Sequence, residues 1–325
     1  MPEPQIRRAG IEDAETIARM AAALSEAEGA PAPRFDAETC RRHGFGATPL
    51  FEALLAEIEG RPAGYALYHP SYDTDRVVRA VWLADLYVES WARGRGLGRR
   101  LAAKVASLAR SAGEEAMHWS VLRRNDSARR FYARFAREDD SLLHCWLSQE
   151  AQARLAAAPP RSAARLRAAR AEDAPLLGRL LRRLLIDLGE SSFDFDAGPR
   201  LAAHGFGARP RFGATIAELG ERTAGYALYW PIYDTDAGGP LMFLSDLWVD
   251  PEARGRGVAE DLMAAVAARA FAQGHRGMAW EVLRRNHRAR SFYRRLAEES
   301  DDAVVVNCAG EDFRRLAAEQ DPVLA

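Results

Sequence analysis

The segment Arg93 to Gly98 reads RGRGLG, and it lies between an apolar segment and an alanine-rich one. Glycine lets a backbone approach a ligand closely, and the free amide groups at the start of a helix attract negative charge. This combination predicts a loop that binds the phosphates of a cofactor. A similar loop, Arg254 to Ala259, occurs later in the chain.

Two known phosphate-binding loops do not fit this segment. A dinucleotide-binding turn requires GxGxxG, whereas the first segment has Gly94, Gly96 and Gly98. A P-loop requires GxxxxGK followed by serine or threonine, and neither segment contains it. A solvated turn without a ligand would explain one such segment, but it does not account for two with the same flanking residues.

The two loops belong to a long internal repeat. Six short segments return 161 positions later: HGFGA at His43 and His204, GYALY at Gly64 and Gly225, YDTD at Tyr72 and Tyr233, ARGRG at Ala92 and Ala253, VLRRN at Val121 and Val282, and FY at Phe131 and Phe292. A repeat of this length is a duplicated domain. We therefore expect an N-terminal copy at 1–152, a linker at 153–165 that contains Pro159 and Pro160, and a C-terminal copy at 166–325.

The residues around each loop predict the elements that position it. In order along the first copy we expect a strand near Ile6, an amphipathic helix from about Glu12, two strands joined by a turn at Gly60, the YDTD loop, a strand at 82–88, the glycine loop, a helix at about 96–111, a strand at 117–121 and a helix from about Ser127. A last strand, 141–147 in one copy and 302–308 in the other, should close each domain. The pattern predicts a mixed α/β fold with a βαβ crossover.

The composition predicts a globular protein and argues against several classes of function. Lys+Arg (45) and Asp+Glu (46) nearly cancel, so neither nucleic acid nor an anionic membrane is an expected partner. The three cysteines form no CxxC pair and the seven histidines form no HxxxH pair, so we expect neither a disulfide framework nor a metal site. The chain shows no apolar signal segment, which favours a cytoplasmic location.

The spacing R-x-x-G-x-G/A is met by Arg93, Gly96 and Gly98, and the second copy repeats it. GFG, GYALY, the tyrosine-aspartate loop, a strand ending in LYV, MHWSV and N-x-x-A-x-x-FY occur around it in that order. In these motifs each copy resembles the GCN5-related N-acetyltransferase superfamily, and within it the diamine (spermidine/spermine) N-acetyltransferases. The resemblance covers 6–147 and 166–316. It implies a three-layer α/β/α acetyltransferase fold in two tandem copies related by pseudo-twofold symmetry.

The resemblance implies acetyl-CoA as the cofactor. The amides of the glycine loop would hold its pyrophosphate, the preceding strand would bind its pantetheine arm because it splays from the next strand, and an asparagine would contact the same arm. The implied cofactor-binding residues are Leu86, Tyr87, Val88, Arg93, Gly94, Arg95, Gly96, Leu97, Gly98, Arg99 and Asn125, and in the second copy Leu247, Trp248, Val249, Arg254, Gly255, Arg256, Gly257, Val258, Ala259 and Asn286.

By the same resemblance, Tyr132 and Tyr293 would be general acids for the departing thiolate. The diamine enzymes place a Glu-Asp pair on the strand before the loop, but here Ala84 and Ser245 stand at the glutamate position. Asp85 and Asp246 remain as candidates for the general base, and a structural salt bridge is the alternative role for them.

The YDTD loops carry carboxylates beside a tyrosine and could bind an ammonium group. The candidate substrate-binding residues are Tyr72, Asp73, Asp75, Tyr233, Asp234 and Asp236. Aspartate as a simple turn former is the alternative. The predicted function is transfer of an acetyl group to a primary amine of a small, diamine-like molecule. Two alternatives stay open: a non-catalytic acyl-CoA-binding protein, and an acetyltransferase for an amino acid, an aminoglycoside or a protein N-terminus.

The two copies differ just after the loop, where Arg99-Arg100 is replaced by Glu260-Asp261. Acidic residues there repel a pyrophosphate, so we expect the N-terminal copy to bind acetyl-CoA more tightly. Since the resembling enzymes are homodimers, the fused copies should pack as an intramolecular pseudo-dimer, and a further homodimer is compatible with this arrangement.

Overall fold

The computed structural model describes residues 3–190 and 193–319. The first copy contains β1 (Gln5–Arg8), α1 (Ala14–Ala27), α2 (Ala37–Gly44), β2 (Glu52–Ile58), β3 (Arg61–Asp73), β4 (Val78–Val88), α3 (Leu97–Ser111), β5 (Ala116–Leu122), α4 (Asp126–Tyr132), β6 (Arg137–Asp139), β7 (Leu142–Ser148) and α5 (Gln149–Ala156). The second contains β8 (Arg165–Ala168), α6 (Ala174–Leu188), α7 (Gly198–Phe206), β9 (Gly213–Leu219), β10 (Arg222–Asp234), β11 (Gly239–Val249), α8 (Val258–Ala272), β12 (Gly277–Leu283), α9 (His287–Tyr293), β13 (Glu298–Ser300), β14 (Ala303–Ala309) and α10 (Gly310–Ala318).

Helices cover both faces of each sheet. In β2 successive side chains point to opposite faces, so that Leu54 packs in one core with Leu101 of α3, and Leu55 packs in another with Ile17 and Met20 of α1. The second copy repeats this arrangement, with α8 on one face of its sheet and α6 on the other. The fold is therefore the predicted mixed, three-layer α/β/α fold in two copies.

Each sheet receives its last long strand from the other copy. In the described part of the chain the strands form two seven-stranded sheets, ordered β1-β2-β3-β4-β5-β14-β6 and β13-β7-β12-β11-β10-β9-β8. The expectation that each last strand closes its own domain is therefore wrong. An apolar pattern predicts a strand, but it does not choose between two similar sheets that offer the same gap. The helix after each exchanged strand also packs on the other copy: α5 packs on α8, and α10 packs on α3.

The hairpins that join β3 to β4 and β10 to β11 reach across to the opposite copy. We call residues 72–76 and 233–237 the crossing hairpins. Strand β3 continues to Asp73, so the first half of YDTD, which was predicted as a loop, is strand. The Tyr72 hydroxyl lies 3.2 Å from His204 Nδ1, and the Tyr233 hydroxyl lies 2.9 Å from His43 Nδ1. These reciprocal contacts and the exchanged strands join the two copies as one pseudo-twofold pair.

The segment between the copies begins as helix. α5 ends at Ala156, ahead of the two prolines, and the chain then continues without regular structure to β8 at Arg165. The ranges 1–152 and 166–325 stay a prediction about the repeat, since each folded sheet draws on both. None of the helices in 3–190 and 193–319 has the length and hydropathy that a membrane-spanning helix requires.

Candidate active site

The strand before each glycine loop separates from the next parallel strand. The parallel pairing of β4 with β5 begins at Ala80 with Ala116 and ends at Trp82 with His118, although both strands continue. In the second copy the pairing of β11 with β12 ends at Phe243. The backbone of residues 83–88 is therefore turned toward the opening of a V-shaped gap. This confirms the splay that the resemblance implied, and it leaves hydrogen-bonding groups of Leu86 to Val88 for an extended ligand arm.

A β-bulge lies at the position where the resembling enzymes carry glutamate. Leu67 pairs with Asp85 and Tyr68 pairs with Leu83, so Ala84 has no partner on β3. The same irregularity leaves Ser245 unpaired between Asp246 and Leu244. A bulge breaks the alternation of side chains along a strand. As a result Ala84 and Asp85, which are adjacent in sequence, both line the same cavity.

In the described part of the chain, the glycine loop of the N-terminal copy is open at Gly94 and Gly96. Gly94 has φ 76° and Gly96, the residue before α3, has φ 73°, which are conformations that favour glycine. Among the described residues no heavy atom lies within 4 Å of a Cβ built on either glycine. Arg93 donates from Nε to the Val88 carbonyl at 2.9 Å and so ties the loop to β4. The loop and the start of α3 thus form a free cradle of the kind that binds a pyrophosphate.

The other loop residues have varied surroundings. Arg95 is exposed, Leu97, the first residue of α3, is buried, and Gly98 is half-buried. Arg99 forms a salt bridge with Glu319 at 2.6 Å, so its guanidinium is already paired. Backbone amides are therefore better placed than the Arg99 side chain to hold an anion.

The equivalent loop of the C-terminal copy is covered by the linker. Gly257 has φ 84°, and a Cβ built on it would lie 2.6 Å from the Arg161 carbonyl oxygen. The Asp261 carboxylate accepts hydrogen bonds from the amides of Arg161 and Ser162, at 2.7 and 2.9 Å. Asp261 is 6% exposed and holds the linker at the start of α8. Asp261, one of the acidic residues expected to repel a phosphate, therefore holds the linker over the loop.

Neighbouring groups of the second loop are also occupied. Arg254 and the Trp248 indole both bind the Asp187 carboxylate, at 2.5 and 3.0 Å. Gly255 and Arg256 remain exposed, Val258 is buried, and Ala259 is half-buried.

A cavity of about 510 Å³, which we call the central cavity, lies between the two copies. Residues of the N-terminal acetyl-transfer site line it, namely Asp85, Leu86, Asn125 and Tyr132. The C-terminal counterparts Asp246, Leu247, Asn286 and Tyr293 do not line it. Both crossing hairpins do, including Tyr72, Asp73, Asp75, Tyr233, Asp234 and Asp236. The structure therefore brings the predicted substrate loops of both copies to the predicted catalytic residues of one.

The first helix of each copy accounts for this asymmetry. Ser25 and Glu28 at the end of α1 line the central cavity. EDA at Glu12 and Glu172 gives a repeat spacing of 160 in this region, which places Leu185 and Leu188 at the same positions of α6. Leu185 is 2% exposed and packs into the core of the C-terminal copy. Comparing the two helices in the sequence would have revealed these lining residues, which lie outside the repeated motifs.

Asp85 is buried but hydrogen-bonded from both copies. Its carboxylate accepts from the Tyr65 hydroxyl at 2.7 Å and from Thr235 Oγ1, on the opposite crossing hairpin, at 3.0 Å. Burial raises the pKa of Asp85 to about 7, and these two hydrogen bonds oppose the rise. A carboxyl group with this pKa can accept a proton near neutral pH. Asp246 has similar partners, Tyr226 and Ser245, and burial raises its pKa as well.

Carboxylates from the opposite crossing hairpin surround the same place. Asp236 accepts a hydrogen bond from Ser25 Oγ at 3.2 Å, and Asp234 accepts one from the Ala237 amide at 2.7 Å. Burial raises the pKa of Asp234 to about 6 and also raises the pKa of Glu28. The hydroxyls of Tyr72 and Tyr233 are hydrogen-bonded to the histidines, and their rings pack on Phe212 and Phe51, with centroids 4.9 and 4.7 Å apart.

Tyr132 and Asn125 are positioned by α4. The Asn125 side chain accepts from the Ala128 amide at 3.0 Å and caps the helix, and Asn286 caps α9 in the same way at 3.1 Å. The Tyr132 ring packs 4.9 Å from Trp119, centroid to centroid, and within the described chain no residue hydrogen-bonds its hydroxyl. Burial raises the pKa of Tyr132, so the phenol is protonated and able to donate at neutral pH.

Known proteins share these features. A model of the Acetyltransferase (GNAT) family matches residues 18–136 and 181–297. The chain is 34% identical over 157 residues to thialysine N-epsilon-acetyltransferase of Mus musculus, which covers 46% of this chain and 92% of that protein. It is 29% identical over 136 residues to spermidine/spermine N(1)-acetyltransferase-like protein 1 of Homo sapiens, over 39% of this chain and 19% of that protein. A solved tandem GNAT protein from the clavulanic acid biosynthesis pathway has a TM-score of 0.53 at 18% identity, covers 94% of this chain and 98% of its own, and shares the fold.

Proposed function

The chain belongs to the acetyltransferase (GNAT) family, and from this premise we propose that its N-terminal copy acetylates a primary amine of a small, diamine-like or polyamine-like molecule by direct attack. The chain is an acyl-CoA-dependent N-acetyltransferase, as its motifs predicted. The choice of the N-terminal copy rests on its open glycine loop and on the covered loop of the other copy. Bound acetyl-CoA would supply the acetyl thioester, with the amides of residues 94–98 around its pyrophosphate and Asn125 beside its arm.

The negative charge of the central cavity is the observation that supports this choice of substrate. Its lining includes one guanidinium, that of Arg76, and eight carboxylates: Glu28, Asp73, Asp75, Asp85, Asp139, Asp234, Asp236 and Glu281. Such a surplus attracts a molecule with more than one ammonium group and repels the carboxylate of a free amino acid. The names of the similar proteins, which act on thialysine and spermidine or spermine, support an amine acceptor.

Two side chains are placed for the proton transfers. An alkylamine is protonated at neutral pH and must lose a proton before it attacks. The Asp85 carboxylate would accept that proton, and Thr235 of the opposite copy would orient the carboxylate. Tyr132 would donate its phenolic proton to the departing sulfur, since no protein group within the described residues takes that proton. In this proposal the C-terminal copy supplies the crossing hairpin and not a second reaction centre.

An amine panel tests the proposed function. The full-length protein is mixed with acetyl-CoA and each of a diamine, a triamine, a monoamine, lysine, thialysine, an aminoglycoside and a peptide with a free N-terminus, and released thiol is measured. We expect the di- and triamines to have the highest kcat/KM. A preference for lysine or thialysine would move the acceptor to amino acids. Binding of acetyl-CoA without thiol release from any amine would show a non-catalytic binding protein.

The rate should depend on pH through Asp85. With a pKa of about 7, the carboxylate form is a minor species at pH 6 and dominant at pH 8. The proton acceptor is therefore lost as pH falls, and kcat/KM should fall about tenfold from pH 8 to pH 6 beyond the decline due to the amine itself. Asp85→Asn should lower the rate about 100-fold and remove this extra slope. Parallel pH profiles of the two proteins would contradict the assignment of Asp85 as the base.

A further inference from the structure

One side of the central cavity carries polar groups that the repeat does not share. Glu281 on β12 is paired with His144 on β7, and both line the cavity. At the repeat spacing the first copy has Ser120 in place of Glu281, and the second has Val305 in place of His144. Because the equivalent positions carry other residues, Glu281 is not required by the fold that the two copies have in common.

Within the described chain Glu281 has no charged partner in direct contact, and His118, whose charge opposes the rise of the Glu281 pKa from beyond 4.0 Å, also faces Asp73. Among the described residues the basic atom found within 4.0 Å is His144 Nδ1, at 3.8 Å, and burial lowers the pKa of His144, which keeps it neutral. Burial also raises the pKa of Glu281 to about 7. Asp73, in the same cavity, differs because it lies 2.8 Å from Arg76 and 3.5 Å from His118. A carboxylate inside a protein whose counter-ion is distant and shared is unfavourable, and a cationic ligand in contact with it would reduce that cost.

A second polar group of the cavity is also incompletely bonded. The His118 side chain is 8% exposed, and its Nδ1 lies 2.7 Å from Asn307 Oδ1. Its Nε2 faces Asp73 Oδ2 at 3.5 Å and has no closer hydrogen-bond partner within the described residues. The repeat has Ala279 at this position and Trp146 in place of Asn307. Two polar groups that the shared fold does not need thus line the same cavity, and of the two Glu281 is the one that an ammonium group would complement.

We infer that Glu281 binds the distal ammonium group of a linear polyamine whose other end is acetylated in the N-terminal copy. The inference rests on the proposed function, because it places the reacting amine between Asp85 and Tyr132. Asp85 and Tyr132 at the reacting end and Glu281 at the distal end line the same cavity of about 510 Å³. Asp75, on the crossing hairpin of the first copy, is close enough to raise the pKa of Glu281 and adds to the negative field at the distal end. The C-terminal copy, in which Leu185 packs into the core at the position of Ser25, then serves as a specificity site.

Glu281→Gln tests this inference because it removes the charge and keeps the size of the side chain. Steady-state kinetics with acetyl-CoA are measured for spermidine and for n-butylamine, which has no distal cation. We expect the KM for spermidine to rise about tenfold or more, with kcat within about twofold of the parent and the n-butylamine constants unchanged. Glu281→Asp, which keeps the charge, should recover part of the lost affinity. Glu221→Gln, at an exposed turn outside the cavity, is the matched control.

The outcomes separate this inference from the proposed function. Equal changes for both amines, or no change for spermidine, would overturn the role of Glu281. If the parent protein acetylates no amine, the proposed function fails, and calorimetric titration of spermidine still tests the subsite. Parent protein that binds spermidine about tenfold more tightly than Glu281→Gln would then support the subsite alone, whereas equal affinities would overturn it. Thermal melting of each variant identifies any loss of the fold.

Discussion

Replacing Tyr132 by phenylalanine is expected to lower kcat about 100-fold, because a positioned general acid contributes roughly two to four orders of magnitude to a proton-transfer step. The ring would keep its packing on Trp119, 4.9 Å away, so the fold should not change. KM for the amine should stay within about twofold, since the hydroxyl meets the departing sulfur and not the acceptor. Initial rates at saturating acetyl-CoA provide the measurement.

Tyr293→Phe is the matched control for this prediction. Tyr293 packs on the equivalent tryptophan, with its ring 5.1 Å from Trp280, and is 8% exposed like Tyr132. It does not line the central cavity, and the loop of its copy is covered by the linker. We therefore expect its kcat to stay within about twofold of the parent. A loss in Tyr293→Phe equal to that in Tyr132→Phe would mean that both copies catalyse the reaction.

A tryptophan in the first glycine loop should abolish tight binding of acetyl-CoA. Gly94 and Gly255 form a matched pair, since their φ angles are 76° and 75° and neither has a described neighbour within 4 Å of a built Cβ. Gly94→Trp fills the open cradle with a bulky side chain in an unfavourable conformation, and we expect the Kd to rise at least about 100-fold. Gly255→Trp carries the same strain in a loop that the linker covers, so its Kd should not change. Titration calorimetry measures both.

The number of bound cofactors provides an independent check. The parent protein should bind one acetyl-CoA per chain, because Asp261 holds Arg161 and Ser162 at the start of α8. Two sites of equal affinity, or equal losses in the two tryptophan variants, would refute the asymmetry. Asp261→Ala, which frees the linker, is the variant in which a second site would be expected to appear.

The sequence predicted much of the site because the chemistry there is local. Gly94 and Gly96 need positive φ, and both have it. Asn125 begins the helix that carries Tyr132, and one motif contains both residues. The β-bulge at Ala84 could not be predicted, because a bulge depends on the register between β4 and β3 and not on the composition of either strand. The position of the linker over the second loop could not be predicted from the sequence either, although Asp261 itself was recognised as unfavourable for phosphate.

The sequence by itself determined the duplication, the family, the position of the glycine loop and the order of the strands and helices around it, since each follows from residues close together in the chain or from their exact recurrence. Only the tertiary structure decided which sheet receives β7 and β14, which site each crossing hairpin serves, and which copy keeps an open cavity. These outcomes depend on contacts between residues far apart in sequence, such as Thr235 with Asp85. Two nearly equivalent copies offer the same local pattern at both places, so only packing distinguishes them.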